Sequence, residues 1–170
     1  MSEQRFNSFE EFFPFYLSEH ENANSRRLHF VGTTGWFASL AASTVANPVG
    51  FPLAMAGFGL IMRDAIKREN EGPAFKHMAA MLALPTLASP IFLGGVVWAY
   101  GCAWAGHFLI EKNRPATFKQ PIWSLYGDFK MWTHMLRGRL WSGENPIEEL
   151  QLAELDNTRS APARVAAAVH

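Results

Sequence analysis

The chain has 170 residues, with 15 Lys+Arg against 15 Asp+Glu and a formal net charge of zero. Charged side chains make up 18% of it, below the roughly one quarter usual in soluble domains, and the even balance offers neither a basic face for nucleic acid nor an acidic tail. The single cysteine, Cys102, excludes an internal disulfide and a thiolate-based zinc or iron–sulfur site, leaving six histidines and the carboxylates as metal-capable groups.

The first eleven residues are polar and acidic and do not read as a targeting segment. Ser8 followed by Glu11 forms a capping-box pattern that predicts a helix over about 9–23. Phe9, Phe12, Phe13, Tyr16 and Leu17 share one of its faces, and Pro14 is expected to kink it or shift its start. That aromatic face suits either the membrane interface or docking on a helix bundle.

Two stretches of 33 residues, Phe30–Met62 and Met78–Ile110, contain no Asp, Glu, Lys or Arg. A single bilayer span needs about 20 residues, so each stretch is long for one span and slightly short for two. Asn47-Pro48-Val49-Gly50-Phe51-Pro52 breaks the first stretch, and Pro85 with Ser89-Pro90 breaks the second. The expected elements are spans over about 28–46, 50–66, 74–89 and 91–110, with a charged connection from Asp64 to Gly72. Arg114-Pro115-Ala116 ends the fourth. Residues 122–141 form an aromatic-rich amphipathic segment, 142–153 a short helix, and the Ala-rich end over 157–170 is expected to be disordered.

The fold these elements predict is all-α: an integral membrane bundle of four transmembrane helices in two hairpins, with amphipathic interfacial helices at both ends. Residues 1–141 form its membrane helical domain and 142–170 a polar C-terminal extension. All 15 basic residues precede the first span, join the second to the third, or come after the fourth. The positive-inside rule then predicts a multi-pass protein with both termini cytoplasmic.

Five of the histidines sit on or beside the charged side. His20 and Asn24 are four apart on the first helix, His29 opens the first span, and His77 flanks the third. His107 and Glu111 are one helical turn apart at the exit of the fourth span, and His134 lies six residues after Asp128. His20 and His29 converge only if the chain turns between them, as Asn22-Ala23-Asn24-Ser25 would allow. Each histidine also reads as a tolerated boundary residue, Glu111 as a partner for Lys112 or Arg114, and Asn24 as a helix cap. A histidine inside an apolar run, as His107 is, is costly without a partner or a task. Histidine with carboxylate and no thiolate suits iron(II), zinc or manganese. The sequence carries no HExxH, no GxSxG, no P-loop and no dinucleotide fingerprint.

Phe15-Tyr16-Leu17-Ser18-Glu19-His20, then Asn24, Arg27, His29 and Gly32, resembles the opening of the Mpo1-like (DUF962) family. Tyr100–Thr117, with Gly106-His107-Phe108, Glu111, Asn113 and Pro115-Ala116, resembles its second signature, and Pro121–His134, with Ser124-Leu125 and Asp128-Phe129, its third. The resemblance covers about 9–136. It implies an iron(II)-dependent dioxygenase that takes 2-hydroxy fatty acids and dioxygen to the one-carbon-shorter acid, the reaction of fatty acid alpha-oxidation. It carries metal binding onto His20, His29, His107 and His134, with Asn24 and Glu111 beside them as ligand or supporting candidates. Arg26, Arg27 or Arg114 is expected to pair with the acid's carboxylate, and membrane lipid is the expected surrounding. Two rival readings are a non-enzymatic lipid-binding or assembly protein and a metal-dependent lipid hydrolase that turns over without oxygen.

Overall fold

The computed structural model describes residues 6–68, 75–116, 119–143 and 145–152. The expected charged connection over 69–72 and the expected disorder over 157–170 lie outside the described residues. The elements, in chain order, are α1 (Phe9–Ser18), α2 (Ala23–Ala46), α3 (Gly50–Arg68), α4 (Phe75–Ala88) and α5 (Pro90–Ala105). α5 runs on into a π-helical turn, Gly106–Glu111, and is succeeded by α6 (Pro121–Leu136) and a short helix α7 over 146–152.

Local chemistry sets the helix ends. Ser8 accepts the Glu11 amide with its hydroxyl and starts α1, and Asn22 does the same for the Asn24 amide with its side-chain oxygen at the start of α2. The turn between them falls at residues 19–22, so α1 is shorter than the sequence pattern predicts and His20 sits in the turn. Asn47 closes both hairpin tips at once. Its side-chain oxygen accepts the Gly50 amide at 2.9 Å, and its nitrogen donates to the Ala88 carbonyl at 3.0 Å. Pro90 opens α5 at a position where a missing N–H costs nothing.

α2 packs most extensively on α5, and α3 on α4. Gly32 makes the first contact close, since a methyl there would lie 2.9 Å from Cys102 Cβ and 3.1 Å from the Ala99 carbonyl oxygen. α1 and α6 cross at Gly127, against the Tyr16 ring. Two buried clusters result. One is aromatic, built from α1, α6 and the chain after α6, with Phe12, Tyr16, Trp123, Met131 and Leu140 at its centre. The other fills the space among α2–α6 with Trp36, Phe51, Phe58, Met81 and Phe92.

This arrangement corrects the expected four-span bundle with interfacial helices and, with it, the multi-pass assignment that put both termini in the cytoplasm. Among the described residues one helix, Pro90–Glu111, is long and apolar enough to cross a membrane by length and composition. α4 has 14 residues, which at 1.5 Å each reach about 21 Å, short of the roughly 30 Å hydrocarbon core. α2 carries Arg26, Arg27 and His29 within its length and buries the polar Ser25, Thr33, Ser39 and Ser43, while α3 ends on Arg63, Asp64, Lys67 and Arg68. The aromatic faces of α1 and α6 are docked into the core: Phe12, Tyr16, Leu17, Ile122 and Trp123 are buried.

Candidate metal centre

Two consecutive elements and a third far along the chain meet at one end of the bundle. The α1–α2 turn brings His20, the second turn of α2 brings His29, and the π-helical turn brings His107. One ring nitrogen from each lies within 4.8 Å of the others, and all three side chains are buried. Gly106 permits the approach, because a methyl there would meet Ser25 Oγ at 2.8 Å and His29 Cδ2 at 3.6 Å. The π-helical turn closes on Lys112, held in the left-handed region at φ 57°. A non-glycine residue there stores about 1 kcal/mol or more of strain, of the kind found at functional sites.

The hydrogen bonds fix the tautomer of each ring. His20 Nδ1 lies 2.6 Å from the Tyr16 carbonyl, which only accepts, so Nδ1 carries the hydrogen. His29 Nδ1 lies 2.6 Å from Asp128 Oδ1 and donates to it. His107 Nδ1 lies 2.8 Å from Asn113 Oδ1. Asn113 spends its NH2 on the Glu19 carbonyl and carboxylate at 2.9 and 3.0 Å, which leaves its oxygen to accept from His107. Every Nδ1 is therefore a donor to its own support, and in the neutral ring the lone pair left for a ligand is on Nε2.

Nε2 of His20 and of His29 are buried without a hydrogen-bond partner. Each orphaned acceptor costs about 1–3 kcal/mol, and a metal ion is the partner that would satisfy both. Imidazoles oriented by a carboxylate, a carbonyl or an amide are the usual support of bound metal. Burial holds His20 well below the ordinary histidine value, with His29 and His107 adding to the effect. Burial, and then His29, lowers His107 to about 4. These two rings are neutral at neutral pH and need lose no proton to bind an ion. Three imidazoles without thiolate suit first-row ions such as iron(II), manganese and zinc.

Asp128 is the hub beneath this cluster. Besides His29 it accepts the Thr33 hydroxyl and, at 3.3 Å, the Tyr16 phenol. Burial and the neighbouring Asp128 raise the Tyr16 pKa well above its ordinary value, so the phenol stays a donor. The sequence marks Asp128 only by its place near Ser124-Leu125 in a resembled motif and by its nearness to His134. Neither points to His29.

The other expected residues lie around this centre. His134, near the end of α6, stacks on the Phe13 ring at 6.2 Å and is not part of the three-histidine group. Glu111 accepts the Asn22 amide at 3.0 Å and ties the π-helical turn to the turn that carries His20. Asn24 accepts Arg27 Nη1 at 2.8 Å, at the protein surface, while Arg27 also donates to the Trp141 carbonyl. Arg26 is fully buried and donates to the carbonyls of His20, Glu21, Leu140, Ser142 and Gly143. It has no donors left for a substrate carboxylate, and its work is to hold the α1–α2 turn against residues 140–143.

A cavity opens beside the cluster, lined by His29, His107, Tyr16, Asp128 and Ser124 and walled by Tyr100 and Trp104. The Ser124 hydroxyl is buried there without a hydrogen-bond partner. The model of the family described as 2-hydroxy-palmitic acid dioxygenase Mpo1-like matches residues 6–140. No curated protein and no solved structure matches. The family and the buried histidines together fit a metal-dependent active site of the dioxygenase type. Matched over most of its length, the chain belongs to the Mpo1-like family.

Proposed function

We propose that this protein is an iron(II)-dependent dioxygenase that cleaves 2-hydroxy fatty acids to the acid one carbon shorter. The observation that carries the reading is the convergence of three buried histidines, each oriented through Nδ1, two of which, His29 and His107, line a cavity. His20, His29 and His107 would hold the iron, and Asp128, Asn113 and the Tyr16 carbonyl keep their rings aimed. Bound iron(II) supplies the redox chemistry that lets dioxygen react with a closed-shell organic acid. The balance closes with a 2-hydroxy acid and dioxygen going to the shortened acid, carbon dioxide and water.

The chain's own groups account for substrate handling. The unpartnered Ser124 hydroxyl is available to the substrate's hydroxyl or carboxylate. Glu111 acts at one remove by bracing the turn that carries His20, and Asn24 and Arg27 by tying the start of α2 to Trp141. His134 supports the aromatic cluster through Phe13. Burial of the alkyl tail contributes about 0.8 kcal/mol per methylene.

The test is conversion of 2-hydroxypalmitate by purified protein loaded with iron(II), with and without dioxygen. Oxygen-dependent formation of the 15-carbon acid is expected. Iron retained at one per chain with no product contradicts the substrate assignment, and equal turnover without oxygen contradicts the dioxygenase.

A further inference from the structure

The cavity at the histidines is joined by a second one. Thr33, Ala99, Tyr100, Leu125 and Asp128 line both. Beyond this junction the wall changes character. The polar lining of the second cavity is confined to Thr33, Tyr100 and Asp128, and the rest of its wall is Trp36, Phe58, Met78, Met81, Phe92 and other apolar side chains. Along α5 the lining runs from Tyr100 through Val96 to Phe92, eight residues or about 12 Å of helix. Phe92 and Met81 are 2% and 3% exposed, so the deep wall of this arm lies in the core, while the exposed Leu82 marks its outer edge.

We infer that the second cavity takes the alkyl tail of the acid, with Phe92 and Met81 setting the chain length it accepts. The inference rests on the reading of the substrate as an acid with a long alkyl chain. Its basis is the change from a cavity that carries His29, His107, Ser124 and Asp128 to an adjoining arm that is almost wholly apolar and shares five lining residues with it. For an amphiphile with its head at Ser124 and the histidines, this arm is an adjoining apolar continuation, and it leads among α2, α3, α4, α5 and α6. Methionine is an adaptable lining for such a chain, since its unbranched side chain repacks around different contours.

The test is photolabelling. A fatty acid and its 2-hydroxy counterpart, each with a diazirine at the terminal carbon, are irradiated without oxygen on the full-length iron-loaded protein, and the labelled residues are located by peptide mass spectrometry. Label on Phe58, Met78, Met81 or Phe92 is expected. Label on the outward residues Leu53, Leu60 or Val97, or no label, overturns the inference. Chain-length profiles of Phe92→Trp and Met81→Ala give an independent check. Phe92→Trp is expected to lower kcat/KM for the longest substrates roughly tenfold while sparing short ones, and Met81→Ala to shift the optimum to longer chains. Unmoved profiles in both also overturn it. Internal label without oxygen-dependent turnover would sink the proposed reaction and leave the channel, whereas turnover with outward label would do the reverse.

Discussion

At the residue scale, the function depends on which nitrogen of each histidine is left over. His29 donates to a carboxylate, His107 to an amide and His20 to a main-chain carbonyl. Asp128→Asn keeps the shape but weakens the support of His29, and iron affinity should fall about 10- to 100-fold. Titration of the metal-free variant with iron(II) checks this, and unchanged affinity counts against the role of Asp128. The same rings give the metal-free protein a pH dependence. His20 and His107 are held below the ordinary histidine value, chiefly by burial, with His107 at about 4. The unfolded chain takes up protons near 6.5 and the native state resists them, so stability is full above about pH 6.5 and declines as pH falls toward about 4. Melts of metal-free protein between about pH 7.5 and 5 should show Tm dropping only below about 6.5, and a flat profile contradicts the assignment. His107 is legible in the sequence as a candidate because an ionisable ring in an apolar run is costly, while His20 and His29 stand out through the motif that resembles the family. The role of Asp128 is not legible, since 99 positions separate it from His29 and only the packing of α6 on α2 brings them together. Arg26 has the sequence character of a carboxylate clamp because sequence shows a charge without its partners, and five main-chain carbonyls already hold it.

At the element scale, the helices themselves are readable. Charge-free runs broken by Asn-Pro and Ser-Pro produce the α2–α3 and α4–α5 hairpins, and Arg114-Pro115 lies just past the end of the π-helical turn. The boundary between α1 and α2 is less so, because the periodic aromatic face ends at Leu17 while the helix-compatible residues continue. The π-helical turn has no sequence signature of its own, since its wider winding goes with the contact of Gly106 with α2. Gly106→Ala puts a methyl 2.8 Å from Ser25 Oγ and should push His107 away from His29, lowering iron affinity more than stability. Equal losses in both would mean that Gly106 serves packing alone. Gly32→Val, against the Ala99 backbone and Cys102, should cost about 1–3 kcal/mol, read as a Tm lower by several degrees. A Tm within a degree of wild type would contradict the close α2–α5 contact.

At the scale of the whole molecule, the four-span expectation fails because hydropathy records how apolar a segment is and not which neighbours cover it. The small polar face of α2 is buried against α5, and the aromatic faces of α1 and α6, which suit a membrane interface in isolation, bury each other. The chain after α6 completes the enclosure. Leu140 enters the aromatic cluster, its amide donates to Glu149 at 2.5 Å, and its carbonyl accepts from Arg26. Arg26→Lys leaves most of those carbonyls without a donor and should loosen both this segment and the turn bearing His20, seen as faster amide exchange there; unchanged exchange would count against the clamp. The fold thus brings His107 to the point where the α1–α2 turn and α2 present His20 and His29. The most direct test of that claim is iron content per chain, measured for wild type and for His20→Ala, His29→Ala, His107→Ala and His134→Ala, each folded as judged by circular dichroism. One iron per chain in wild type and in His134→Ala, with its loss in each of the other three, is the predicted result. Full iron retained in any of those three, or lost in His134→Ala, would contradict it.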